Sequence, residues 1–218
     1  MKQIVLAAAL AAWVLPQLPG QVAQEANREY QSKEGRERMG RNLAAADRDS
    51  KEKPSQIVAA MHLAPGMTVA DVGTGVGYML PWLSGAVGAN GKVLAEDIFP
   101  DFLDKCRADA AAKHLSNIDF VLGTEKDPRL PRGSVDAALV LEVYHHFNYP
   151  AEMLKHIGEA LKPGGRLYIV DFHRTPGEKH IRLDEDAVIQ EVESNGYRLL
   201  SKQEHTSDRQ YIAVFEQR

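Results

Sequence analysis

Thr68-Val69-Ala70-Asp71-Val72-Gly73-Thr74-Gly75-Val76-Gly77-Tyr78-Met79 is the stretch on which the reading of this chain turns. A short run rich in β-branched residues carries a carboxylate, Asp71, near its end and then passes through glycines at alternate positions, Gly73, Gly75 and Gly77. Residues before the glycines read as a strand, and Met79, Leu80, Trp82 and Leu83 after them as a helix. Glycine serves where the chain takes positive φ or lets a ligand lie against bare backbone, and a helix starting there directs unpaired N–H groups at whatever is bound. The stretch is therefore a strand, turn and helix start able to cradle a nucleotide. Spacing restricts the choice: a dinucleotide fingerprint, G-x-G-x-x-G, needs its third glycine where Tyr78 stands, so that pattern fails.

An acid two residues ahead of a G-x-G-x-G turn resembles the first motif of class I S-adenosylmethionine-dependent methyltransferases. The preceding phrase, Leu63-Ala64-Pro65-Gly66-Met67-Thr68-Val69-Ala70-Asp71, is similar to that family's usual entry into its first strand. Leu161-Lys162-Pro163-Gly164-Gly165-Arg166-Leu167-Tyr168-Ile169-Val170-Asp171 resembles a later family phrase, in which proline and glycine stop a helix before the next strand. The resemblance runs from about Pro54 to the end. It implies an α/β, Rossmann-like seven-stranded sheet, mostly parallel with an antiparallel last strand inserted beside the fifth, and helices on both faces. It also implies S-adenosyl-L-methionine as cofactor, held through Asp71, Gly73, Thr74, Gly75, Gly77 and Tyr78, with Asp71 near the methionine part.

After a turn at Gly88-Ala89-Asn90-Gly91, Lys92-Val93-Leu94-Ala95 reads as a second strand that ends in Glu96-Asp97-Ile98-Phe99-Pro100. A carboxylate at that tip, about twenty residues past the glycine loop, can accept two hydrogen bonds from a ribose diol. Neighbouring strand residues face opposite ways, so only one of Glu96 and Asp97 is expected to meet the ribose. In the family the D-I-x-P phrase puts Asp97 there, with Ile98 beside it, and leaves Glu96 beside the site or facing away. A third strand, Ile118 to Leu122, ends in Gly123-Thr124-Glu125. Family members place an acid just after this glycine, against the adenine amino group; here Thr124 holds that slot and Glu125 follows.

Val135 to Leu141 is a near-continuous apolar run, as suits a parallel strand buried on both faces. Asp136, at its start, lies far from the ligand edge and reads as structural. At the other end comes Glu142-Val143-Tyr144-His145-His146-Phe147. Ligands in open α/β sheets bind outside the carboxyl ends of the strands, so this cluster falls where methyl donor and acceptor meet. Methyl transfer from a sulfonium requires alignment and, for an O–H or protonated nitrogen acceptor, removal of a proton. Histidine does this near neutral pH. The catalytic candidates are His145 and His146, with Glu142 and Tyr144 to orient the base or the substrate; Glu142 also counts as a cofactor contact and His173 as a further lining residue. The phrase resembles a group of bacterial, often exported, methyltransferase-like proteins. An alternative reading is a metal-dependent enzyme, since Glu142, His145, His146, His173 and His180 could gather at one sheet edge. No diagnostic spacing such as H-E-x-x-H occurs, and no metal is expected.

The chain has 218 residues, 44% hydrophobic, with net charge −4 and pI near 6.1. That suits one domain with a sizeable core and gives no global attraction to nucleic acid or anionic membrane. The expected acceptor is a small molecule, because no insertion is long enough for a separate recognition domain; oligomeric state is not legible. Lys2 precedes an apolar run from Ile4 to Leu15, followed by Pro16, Pro19 and Gly20, which reads as a signal peptide over residues 1–23, cleaved somewhere in 20–26. The run is short for a bilayer span. The mature protein is accordingly expected in an exported compartment, periplasmic or secreted, without stable membrane insertion. Methyl donor is made in the cytosol, so the rival function is an exported non-catalytic binding module that keeps the fold. Residues 24–53 carry both signs of charge over a weak helical stripe and read either as a solvated lead-in or as a lid over the cofactor. Residues 54–218 form the methyltransferase domain of this reading. Cys106, the sole cysteine, excludes an intramolecular disulfide and reads as a buried structural thiol.

Overall fold

In the computed structural model, residues 22–206 and 209–218 are described; the apolar run of the leader lies outside them. Seven strands form one sheet: β1 (Thr68–Val72), β2 (Lys92–Asp97), β3 (Ile118–Leu122), β4 (Val135–Leu141), β5 (Leu161–Phe172), β6 (Tyr197–His205) and β7 (Gln210–Gln217). Their order is β3-β2-β1-β4-β5-β7-β6. The first five are parallel, and β7 runs antiparallel between β5 and β6, where the resemblance places it. The chain builds outward from β1 to β3 and then returns to lay β4 on the other side of β1. This reversal opens a crevice at the carboxyl ends of β1 and β4, the place where such sheets bind ligands.

The alternation of strand side chains makes two cores. Ala70, Val72, Leu94, Ala138, Val140, Leu167, Ile169, Ala213 and Phe215 face helices α6 (Pro150–Ala160) and α7 (Glu185–Ser194), which contribute Leu154, Ile157, Val188 and Val192. Val69, Val93, Ala95, Ala137, Leu139, Tyr168, Val170 and Ile212 face the other way. They meet Ile57 and Met61 of α3 (Pro54–Met61), Leu80, Leu83 and Val87 of α4 (Leu80–Val87), and Cys106 of α5 (Pro100–Ala112). α3, α4, α5 and α6 each begin on or one residue before a proline, which fits the first turn because its missing N–H has no intrahelical partner there. Cys106 is fully buried, its Sγ donates to the Gly75 carbonyl at 3.0 Å, and burial pushes the thiol up to about 12.

Lys162-Pro163-Gly164-Gly165 differs from the expectation of a helix stop and turn. Leu161 already pairs with Val135, and the phrase forms an irregularity within β5 before pairing resumes at Arg166 with Ala137. Gly164, at φ +79, permits the bend. The N-terminal segment adds α1 (Lys33–Leu43) and α2 (Arg48–Glu52), which are not part of either core. Among the described residues no helix is long and apolar enough to cross a membrane.

Ile157 is fully buried where α6 meets β4 and β5. Ile157→Ala should destabilise the fold by about 2–5 kcal/mol, measured by urea denaturation, because the lost burial is compounded by a cavity.

Candidate active site

The glycine loop is tied to the tip of β2. Asp97 Oδ2 accepts the Gly75 amide at 2.9 Å, Glu96 Oε2 accepts the Gly73 amide at 3.2 Å, and the Glu96 carbonyl accepts the Thr74 amide at 2.8 Å. Gly77 donates to the Thr74 carbonyl at 3.0 Å. The amides of Gly73, Thr74, Gly75 and Gly77 are thus partnered within the protein, and α4 starts only at Leu80, so these four do not form the open amide cradle that the sequence implies. Its glycines are required by space. A Cβ on Gly73 (φ +73) would stand 2.5 Å from Val143 Cγ1, and one on Gly77 (φ +81) would stand 2.8 Å from Leu80 Cδ1.

A cavity of about 1030 Å³, counting the solvent at its mouth, opens beside this loop. Asp71, Gly73, Thr74, Gly75, Tyr78, Asp97, Ile98, Thr124, Glu142 and His146 all line it. Gly77 does not; its backbone turns behind the loop against Leu80 and Cys106. Thr124 has its hydroxyl engaged in a local turn, donating to the Asp127 carbonyl at 3.2 Å. Glu125, beside it on the cavity wall, accepts Asn148 Nδ2 at 3.1 Å. Both Glu96 and Asp97 line the cavity, so of the two alternatives for Glu96 the structure has it beside the site and not facing away, because it curls under Gly73 and Gly123. They differ in what they hold: both Asp97 oxygens accept backbone amides, from Gly75 and from Phe99 at 2.9 Å, whereas Glu96 Oε1 is buried without a partner.

Three carboxylates are therefore crowded out of water. Burial pushes Asp71 up to about 6 against the opposing Thr74 hydroxyl and Arg48 charge. Burial likewise pushes Asp97 up to about 7, and burial with the neighbouring Asp97 charge holds Glu96 well above the usual carboxylate range.

The Glu142 cluster divides. Glu142, at φ +56 in the left-handed region, ends β4 and accepts Arg48 Nη2 at 3.0 Å and Gln210 Nε2 at 2.6 Å. It lies beside Glu52, whose other contacts are Gln210 and Arg209. Burial, then the hydrogen bond and charge of Glu52, raise Glu142; for Glu52, burial is outweighed by hydrogen bonds from Glu142 and Gln210 and by Arg209. Tyr144 turns into the core, its hydroxyl donating to Glu191 at 2.6 Å, and does not line the cavity. His145 is also withdrawn: 4% exposed, its Nδ1 lies 2.7 Å from Asp171 Oδ1. His173 pairs with Glu204 at 2.8 Å and Glu185 at 3.4 Å, apart from the cavity. Only His146 and Glu142 of the four catalytic candidates reach the cavity. Burial, then the neighbouring His145 and His180, hold His146 well below the usual histidine value, so it is neutral at physiological pH.

The charged N-terminal segment, for which a solvated lead-in or a lid are the two sequence readings, supplies part of the wall through residues that the sequence does not single out. Asn27, Tyr30, Leu43 and Arg48 line the cavity. Arg48 lies over the Tyr78 ring at 4.0 Å, Tyr30 stacks on Phe99 at 5.9 Å, and Asn27 donates to the His146 carbonyl at 2.9 Å. Tyr30, an aromatic in a charged run, was the one available signal; nothing local distinguishes Arg48 from the other arginines.

Residues 70–169 match the family model described as a methyltransferase domain. The chain is 28% identical over 127 residues to an arsenite methyltransferase of Halobacterium salinarum, spanning 58% of this chain and 32% of that protein. It is 31% identical over 120 residues to a ubiquinone biosynthesis O-methyltransferase of Xanthomonas campestris, spanning 55% and 48%. It thus covers about a third to a half of the length of these curated relatives. A solved S-adenosylmethionine-dependent methyltransferase from Aquifex aeolicus superposes with TM-score 0.76 at 26% identity, covering 81% of this chain and 96% of that one. The cyclase SpnF shares the fold, with TM-score 0.65 at 15% identity over 76% of this chain and 80% of its own. Fold, loop and matches place the chain among the class I S-adenosylmethionine-dependent methyltransferases. Its cofactor is S-adenosylmethionine.

A ribose diol donates to an ionised carboxylate, and Asp97 is the acid raised to about 7. Affinity for S-adenosylhomocysteine should therefore rise as pH increases through about 7, as binding no longer has to expel a proton from Asp97. In calorimetry, Asp97→Asn should flatten that dependence, and Asp97→Ala should weaken binding by about 1.5–3 kcal/mol, the scale of hydrogen bonds to a charged group. An unchanged affinity in Asp97→Ala would assign the ribose to Glu96.

Proposed function

We propose that this chain transfers the methyl group of S-adenosylmethionine to a small-molecule acceptor that enters beside His146. The observation that carries the reading is one continuous cavity with Asp97 and the glycine loop on one side and His146 on the other. In this reading Asp97 takes the ribose, Asp71 and Arg48 flank the methionine end, and Glu125 stands nearest the family's adenine acid. His146 is the base: Asn27 Nδ2 donates to the His146 carbonyl, which turns Asn27 Oδ1 to the ring Nδ1 at 2.9 Å. That leaves the proton on Nδ1 and the lone pair on Nε2. Glu142 has both oxygens engaged, by Arg48 and by Gln210, so it positions rather than accepts.

The N-terminal segment is read as a lid, because Asn27, Tyr30 and Arg48 supply cavity wall that the sheet alone lacks. The names of the curated relatives point to arsenite and to an oxygen acceptor of ubiquinone biosynthesis, two dissimilar acceptors, so the acceptor is left at the level of a small molecule. Export is part of the proposal through the leader in residues 1–23, and fractionation of cells making the full chain tests it.

A second reading, a binding module without turnover, is favoured by one observation: Tyr144 and His145 are withdrawn and Glu142 is tied up, leaving a single free base at the cavity. Methyl transfer from labelled donor across a panel of hydroxyl, thiol, amine and arsenical acceptors separates the two. Under the enzyme reading, His146→Ala lowers transfer by roughly 10²–10⁴-fold, the range of general-base catalysis, while S-adenosylhomocysteine affinity is unchanged. Tight cofactor binding with no transfer to any acceptor supports the module.

A further inference from the structure

His145 and His146 lie in a 3₁₀ turn after β4 (Tyr144–His146), and His180 lies in the loop between β5 and α7. The fold brings the three rings together. Their centroids are 4.1 Å apart for His145 and His146, 5.0 Å for His145 and His180, and 5.2 Å for His146 and His180. One nitrogen of each ring lies within 4.8 Å of one on both others. The loop is anchored next to His180 by Ile181, which is buried and shares a small cavity with His145 and Asp171.

The hydrogen bonds decide which nitrogen the His145 and His146 rings present. Asp171 Oδ1 lies 2.7 Å from His145 Nδ1 and accepts the Phe172 amide at 2.9 Å, while Oδ2 accepts the His145 amide at 3.1 Å. A carboxylate receiving three N–H groups makes His145 a donor at Nδ1 and leaves a lone pair on Nε2. Asn27 does the same for His146, since its amide orientation is set by the bond to the His146 carbonyl. Among the described residues no hydrogen bond reaches Nε2 of either ring. Two adjacent imidazoles are thus held in one tautomer with their lone pairs unused, and a third, exposed imidazole stands beside them.

We propose that His145, His146 and His180 bind a divalent transition-metal ion of the zinc type. Three imidazoles with an open fourth position are a known catalytic zinc arrangement, and imidazole favours zinc, copper, iron or nickel over calcium and magnesium. Asp171 behind His145 supplies the carboxylate–histidine pair that orients metal ligands. Zinc–nitrogen bonds of about 2.0–2.1 Å in a tetrahedron put ligand nitrogens about 3.4 Å apart, so the ion draws the exposed His180 inward while the two braced rings stay. The grouping differs from the one the sequence offers. Glu142 is committed to Arg48 and Gln210, and His173 to Glu185 and Glu204. Because His146 also lines the main cavity, the fourth position is available to an oxygen or sulfur atom of a ligand there, whose proton the ion would make easier to lose. Metal binding uses the His146 lone pair that the methyl-transfer reading assigns to the base, so with the ion bound His146 is a ligand and the ion takes over easing the acceptor's proton. Because the titration needs neither donor nor acceptor, its failure leaves the methyl-transfer reading standing.

The test is titration of the full chain, stripped with chelator, with Co²⁺ followed by its ligand-field absorption and with Zn²⁺ followed by calorimetry. The expected result is one ion per chain with a low-symmetry, nitrogen-ligand spectrum. His180→Ala, an exposed change that spares the fold, should weaken binding more than about 100-fold, beyond the roughly 10–100-fold typical of outer-shell losses expected for Asp171→Asn. His173→Ala should leave binding intact. Absence of saturable binding, equal binding in His180→Ala, or loss of binding in His173→Ala instead would overturn the proposal.

Discussion

The bond between Asp97 and the Gly75 amide, with Glu96 on Gly73 beside it, is the constraint on which the site depends. A glycine loop alone is among the most flexible pieces of chain, and its ordering costs the most backbone entropy. Two carboxylates from the neighbouring strand hold it in place, and parallel pairing of β1 with β2 brings them there, Val72 opposite Glu96. The cost is electrostatic, because Asp71, Glu96 and Asp97 share one poorly solvated corner. A donor that brings ribose hydroxyls and a sulfonium charge relieves that cost.

The second determinant is the N-terminal segment. By composition it reads as a solvated run, yet its polar residues find partly buried partners: Arg48 on Glu142, Asn27 on His146, Arg36 on Asp101 at 2.8 Å. Through Arg48 and Glu52 it is also joined to β7, since Gln210 bonds both Glu52 and Glu142. Charged side chains here are a mortar between the segment and the sheet edge, and they leave a wall of Tyr30, Leu43 and Arg48 around the cofactor's place.

Much of this was legible in the sequence. The strand spans of β3 and β4, the apolar alternation and the acid at the tip of β2 are local signals, fixed by period and by turn chemistry. Less legible was the Glu142-Val143-Tyr144-His145-His146 cluster, whose four polar residues look equivalent as sequence. The 3₁₀ turn sends them in different directions: Tyr144 to Glu191 in the core, His145 to Asp171, His146 to the cavity and Glu142 back to the lid.

By itself the sequence determined the fold and, through the resemblance of its motifs to a known family, pointed to the cofactor, because both rest on short-range patterns: glycines at fixed spacing, an acid after a strand, a proline at a helix start. Only the tertiary structure decided which side chains meet the ligand. That choice depends on partners 26 to 119 residues distant, such as Asp171 for His145 and Asn27 for His146, and no local pattern encodes a contact across that separation. Hydrogen bonding in a desolvated interior selects among residues that are chemically alike in the chain.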